Sequence, residues 1–243
     1  MTEDGLLETS FPFGPVPLDC AVDIPRALRY LGRRRQEVPQ HIGDQLAAVA
    51  DRCRETARPR AMVSAAFPLI WPVRETEGAG GESRAIEGRG LLLTGAGLEL
   101  PGNDIVRFLE GCTHAVLLAV TLGMENEREL MRARALGPVQ EFMADACASS
   151  MAEEAARAAS AQVEQRAAAA GFRCTRRFSP GYGDLPLSLQ PAMLRLTGAD
   201  RMLGVQAAPS FLMTPMKSVT AVVGLAPENV EGRRAGYGRT AHA

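Results

Sequence analysis

The chain has 243 residues, 46% hydrophobic and 23% charged, which is the balance of a globular protein and excludes a mainly disordered one. Lys and Arg total 27 against 28 for Asp and Glu, so no basic excess announces nucleic acid as a partner. No apolar run approaches the ~20 residues of a membrane helix, and the acidic start MTEDGLLETS does not read as a secretory signal; the expected location is the cytoplasm.

Taken in order, residues 1–22 are Pro-rich and read as an irregular arm. Asp23 and Pro25 signal a helix start that Gly32 stops, and a second helix is expected from Pro39 to Ala57, ending before Arg58-Pro59. Strands are expected at 61–67 and 70–73, a polar loop at 75–83, and short strands at 84–87, 90–94 and 98–100. The glycines of LLLTGAGLELPG resemble a dinucleotide loop only superficially. Leu98–Pro101 follows where a phosphate-facing helix should begin, so Gly95 and Gly97 read as a hairpin turn.

A short helix at 104–110, capped by Gly102 or Asn103, precedes a buried strand at 115–121. Helices follow at 125–136 and, rich in Ala, at 139–170, closed by Gly171. A strand at 172–178 leads into the tight-turn sequence SPGYGDLP. Ser188 can cap a helix ended by Gly198, and a strand at 218–225 precedes a mobile tail over 226–243. Helices and strands intermix without βαβ alternation. The fold class is therefore α+β: one domain over 23–225, with a bent, mainly antiparallel sheet and packed helices including one long Ala-rich helix.

The side chains narrow the chemistry. Cys20, Cys53, Cys112, Cys147 and Cys174 are odd in number and lack a C-x-x-C pair, which suggests reduced, mostly buried thiols. With only His41, His114 and His242, a metal cage or a Ser-His-Asp triad has almost no imidazole to use. His114 reads as a satisfied strand-end residue. Lys217 is the sole lysine among 27 basic residues. A coding bias toward Arg explains most of this, yet a compact ammonium is not replaced well by a planar fork at a tight site. Asp145, Ser149 and Glu153 fall on one stripe of the long helix, either facing a ligand or forming a solvated or internally bonded face. In Arg177-Phe178-Ser179-Pro180-Gly181-Tyr182-Gly183-Asp184, Pro-Gly suits a type II turn. Such a turn would project Arg177, suited to a carboxylate, and Tyr182, a flat face with one hydroxyl. A purely structural strand-to-helix turn reads equally well.

Arg177, Pro180, Gly181 and Tyr182, followed by Ser210, Phe211, Met213, Pro215, Ser218 and Val219, resemble the activation domain of vitamin B12-dependent methionine synthase. RYLG, GCTHAVLLAVTLG and SPGYGDLPLSLQ extend the resemblance over roughly residues 20–226, and liken the chain to small stand-alone relatives of that domain. The resemblance implies a protein that binds S-adenosylmethionine and presents its methyl group to a corrinoid oxidised to cob(II)alamin. A flavodoxin-like or other donor supplies one electron. The implied binding residues are Arg177, Ser179, Pro180, Gly181 and Tyr182, the segment holding the methionyl and sulfonium end, with Ser218 of the second block; Lys217, beside it, joins them as the sole lysine. No catalytic or metal-ligating residue is implied, since methyl transfer needs no acid or base from the protein.

Cobalamin enters only through a partner, because the chain has no D-x-H-x-x-G corrinoid motif. The chain is also too short for the homocysteine, folate and corrinoid modules, so it is expected to serve a methionine synthase system in trans rather than to be a complete methyltransferase. Two segments depart from the family's long form: TAVVGLA lacks an aromatic after Ser218-Val219, and Gly183-Asp184-Leu185-Pro186 stands where P-x-C-P is usual. They motivate one alternative, a non-catalytic docking module for a corrinoid protein; a further alternative is an activator of a different corrinoid methyltransferase.

Overall fold

The computed structural model describes residues 3–33, 39–71 and 90–228. The chain opens with α1 (Glu3–Ser10), β1 (Phe13–Pro17), α2 (Ile24–Tyr30) and α3 (Gln40–Thr56). Strands β2 (Arg60–Val63), β3 (Phe67–Ile70), β4 (Gly90–Leu93) and β5 (Leu98–Pro101) follow, then α4 (Asn103–Phe108) and β6 (His114–Thr121). The helical hairpin α5 (Met124–Leu136) and α6 (Pro138–Ala169) leads to β7 (Phe172–Cys174). Last come α7 (Gln190–Thr197), α8 (Ala199–Met202), the small hairpin β8 (Gln206–Ala207) and β9 (Met213–Thr214), and β10 (Ser218–Pro227).

Every described strand pair is antiparallel, giving an α+β fold around one main sheet. Its centre is β6. One edge of β6 is shared by β2 and β3, which lead to β1 and to β4–β5; the other edge carries β10, then β7. The reason lies in HAVLLAVT, a continuous apolar run that suits burial on both faces. Val116, Leu118 and Val120 pack into the core lined by α3 and α6. Ala115 and Leu117 face Leu100, Ile105 and Met193, while Ala119 meets Met62, Leu194 and Leu203. The layers are helices, sheet, helices.

Helix α6 spans 32 residues. Ala148, Ala152, Ala155, Ala159 and Val163 recur at helical spacing and are all buried; small side chains let the helix lie close to its neighbours, and Ala has the highest helix propensity. Asp23 caps α2 by accepting Arg26 N–H at 3.0 Å, as expected. The Gly95–Gly97 segment is a hairpin turn between β4 and β5, with φ of +81° and +61° at the two glycines.

Several sequence expectations need correction. The supposed irregular arm forms α1 and β1: Leu7, Phe11 and Phe13 are buried, and the Arg166 guanidinium lies 4.2 Å from the Phe13 ring centroid. Prolines suggested irregularity, but β1 is an edge strand, where a missing N–H is tolerated. The strand expected over 61–67 breaks after Val63, because Ser64 Oγ takes the Leu117 N–H at 2.9 Å and turns the chain before β3. Of the strand expected at 70–73, Ile70 ends β3 and Trp71 lies outside any strand, while residues 72 and 73 lie outside the described residues. The strand expected to reach Phe178 stops at Cys174; beyond it Thr175 bonds Gly224, and the chain rejoins β10 through the Phe178–Val222 bridge. Ser188 caps nothing: it sits inside a 3-10 turn, Leu187–Leu189, ahead of α7, which has no side-chain cap. The last strand continues past 225, since Ala226 and Pro227 pair with Arg173 and Phe172. The loop at 75–83, the strand at 84–87 and tail residues 229–243 lie outside the described residues.

Candidate functional site

After β7 the Arg177–Asp184 segment runs along the outer edge of β10. Thr175 N–H donates to Gly224 O at 2.9 Å, and Phe178 exchanges both main-chain bonds with Val222 at 2.8 and 2.9 Å. Ser179 C=O then accepts Tyr182 N–H at 3.1 Å across Pro180 and Gly181, whose φ is +91°. This is the type II geometry that Pro-Gly predicts. Gly181 N–H donates to Leu185 O at 2.8 Å, and Leu185 N–H to Tyr182 O at 3.1 Å. Leu185 is buried beside Leu189 and Met193. The loop is therefore pinned to the core while Tyr182 stands at its tip, 68% exposed. Pro180 is buried and Ser179 half-buried.

Asp184 fixes the far side of this loop. Helix α4 has Gly102 at its N-cap and no side chain of its own there. Asp184 supplies the cap from about eighty residues away, accepting Asn103 N–H at 2.6 Å and Asp104 N–H at 3.1 Å. These bonds, Asn103's above all, hold its carboxyl below the usual carboxylate value.

The second block forms the β8–β9 hairpin. Ala208 N–H donates to Leu212 O, and Phe211 N–H to Ala208 O, both at 2.8 Å. Phe211 has φ +65°, the one positive value outside glycine among the described residues. The chain then passes α5, where Met216 N–H donates to the buried Glu127 carboxylate at 2.7 Å. Ser218 Oγ donates to Pro215 O at 2.7 Å and lies 2.8 Å from Thr121 Oγ1. Between them Lys217 Nζ donates to Asp145 Oδ1 at 2.7 Å and Ser149 Oγ at 2.8 Å.

The two blocks thus converge on one helix. Arg177 Nη2 donates to Glu153 Oε1 at 2.6 Å, one turn beyond Ser149, so α6 presents Asp145, Ser149 and Glu153 to a lysine and an arginine from two separate loops. The stripe is neither simply solvated nor only internally bonded, although Ser149 Oγ does lie 3.5 Å from Asp145 Oδ2. Between the loops, the outer edge of β10 from Ser218 to Ala221 has no strand partner among the described residues. Six of the seven residues expected at a binding site lie on the two loops and Ser218 opens β10. Asp184 and Glu127 were missed. The signal for Asp184 was available: an acid next to a glycine loop, and a helix elsewhere with glycine at its cap.

Other expectations resolve simply. His114 begins β6, with Nδ1 3.0 Å from Thr113 Oγ1 and its ring edge-on to Phe172. The five cysteines are free. Among the described residues, no group of three or more His, Cys, Asp or Glu is placed to hold a metal, and no helix is long and apolar enough to cross a membrane.

No family model and no curated protein matches the chain. Among solved structures it is similar to the crystal structure of the MetH reactivation domain bound to AdoHcy, with a TM-score of 0.50 and 15% sequence identity. The match covers 88% of this chain and 76% of that one. The likeness establishes a shared fold.

Proposed function

We propose that the chain binds S-adenosylmethionine between its two loops and supports reductive methylation of a corrinoid held by a separate methionine synthase core. A flavodoxin-like or other donor supplies the electron. The observation that carries this reading is the convergence of the Arg177–Tyr182 turn and the Ser210–Val219 segment on the Asp145–Ser149–Glu153 stripe, in a fold shared with a reactivation domain that binds AdoHcy.

The residues suit such a ligand. Its carboxylate needs a cation, and Arg177 commits Nη2 to Glu153 while keeping Nε and Nη1 without a partner among the described residues. Its ammonium and sulfonium call for oxygen atoms and an aromatic face, which the stripe and the exposed Tyr182 offer. The bound group brings an electrophilic methyl; this chain binds, orients and keeps Arg177 preset by Glu153. No acid or base is required.

Calorimetric titration of S-adenosylmethionine into wild-type and Arg177→Ala protein tests the reading. Removing a charge-assisted hydrogen bond costs about 1.5–3 kcal/mol, so the variant binds roughly ten- to a hundredfold more weakly. A folded wild-type protein that takes up no ligand ends the proposal. The changed Gly183–Pro186 segment favours a second reading, a docking module that engages a corrinoid protein without the ligand. Capture of the corrinoid protein with no ligand heat would select it.

A further inference from the structure

The tripeptide Gly181-Tyr182-Gly183 has glycine on both sides of its exposed aromatic, so alone it would be among the loosest stretches of the chain. In the structure it is held from both ends. On one side the Phe178–Val222 bridge and the Arg177–Glu153 pair fix the chain. On the other the hold comes from Asp184, which reaches across to α4 and takes its first two free N–H groups.

Two glycines make that approach possible. A Cβ on Gly102 would fall within the Asp184 carboxylate, and a Cβ on Gly183 would fall within the Asp104 carboxylate. Each glycine makes room for the acid of the opposite segment, and both have positive φ, +123° and +51°. The two segments interlock backbone against side chain in both directions. Ile105, in the first half of α4, and Leu109, its C-cap, share the core with Leu185, so polar clamp and apolar anchor act on the same few residues.

We infer that Asp184 is a positioning residue for the ligand loop: by capping α4 it sets the direction in which Tyr182 is presented. The inference rests on the proposed ligand reading for its functional consequence, and on the hydrogen bonds alone for its structural one. It also gives the departure at Gly183–Pro186 a role, since this chain uses Gly-Asp there to lock the loop onto α4.

The test uses the full chain and three variants. In Asp184→Ala, amide hydrogen exchange at residues 181–185 and 103–104 should accelerate at least tenfold, with the rest of α6 and β6 unchanged. S-adenosylmethionine affinity should fall about three- to tenfold. Asp184→Asn keeps the side chain's size and one of the two acceptor oxygens, so it should recover part of both effects, which a role of the negative charge alone would not produce. Gly102→Ala should reproduce the Asp184→Ala exchange pattern while keeping the carboxylate. Unchanged exchange at 181–185 in Asp184→Ala overturns the inference, as does an Asn variant no better than Ala. Should the wild type bind no S-adenosylmethionine, the ligand reading fails, and the exchange measurements still decide whether Asp184 holds the loop.

Discussion

Lys217 offers the sharpest test of how the two loops are tied to α6. Its Nζ stands between Asp145 Oδ1 and Ser149 Oγ, at 2.7 and 2.8 Å, with the lysine side chain 13% exposed and that of Asp145 52%. Because half of Asp145 faces water, the ion pair is screened and contributes about 0.2–1 kcal/mol; the bond to the hydroxyl adds about 0.5–1.5 kcal/mol. Lys217→Met keeps most of the aliphatic stem and removes both, a loss of about 1–2 kcal/mol. In a chain of this size that lowers Tm by roughly 3–6 °C. Lys217→Arg should restore stability only in part, since the longer planar guanidinium must shift to reach two acceptors placed for one compact ammonium. Urea unfolding of Lys217→Met, Asp145→Asn and the double variant forms the assay, with an expected coupling of about 0.5–1 kcal/mol. A coupling of zero, or an Arg variant as stable as wild type, refutes the argument.

Three further outcomes are expected. At Phe211, with φ +65°, glycine should be more stable than alanine by about 1 kcal/mol, because only alanine retains the left-handed backbone penalty; equal chemical denaturation midpoints would contradict that backbone. Asp184, whose carboxyl is held low chiefly by Asn103 N–H, with Asp104 and Arg107 nearby, favours the folded loop above its unfolded value. That contribution is lost as pH falls through the lower folded value, so protection at 181–185, exchange corrected for its intrinsic pH dependence, should weaken in acid, and the Asn variant should show no such weakening. Burial pushes the thiols of Cys20, Cys53 and Cys112 up to about 11, and those of Cys147 and Cys174 up to about 12. A thiol reagent at pH 8 should therefore label the native protein far more slowly than the urea-unfolded chain, and equal rates would count against burial.

Local chemistry was legible where it acts within a few residues. Pro180-Gly181 specifies a type II turn because one residue presets φ and the next accepts a positive value, and the turn forms as expected. Asp23-x-Pro25 caps a helix, Gly95 and Gly97 turn a hairpin, and an uninterrupted apolar run becomes the central strand. The stripe on α6 was visible as spacing, and Lys217 as the sole lysine. Neither observation said that they meet.

Most of the helices, the central strand, the Pro-Gly turn and the candidate residues were therefore legible from the sequence, because dihedral preference and hydrophobic period are properties of neighbouring residues, whereas α1, β1, α8 and the β8–β9 hairpin were not. Tertiary structure alone decided which distant groups pair: Lys217 with Asp145 across 72 residues, Arg177 with Glu153 across 24, and Asp184 with the α4 N-terminus across about 80. It also turned part of a Pro-rich arm into the edge strand β1, which pairs with β2 on one side and has no strand partner on the other among the described residues. A charged or capping side chain can satisfy many partners of opposite sign. The packing of α6 against the sheet selects among them, by bringing one partner to within hydrogen-bond distance.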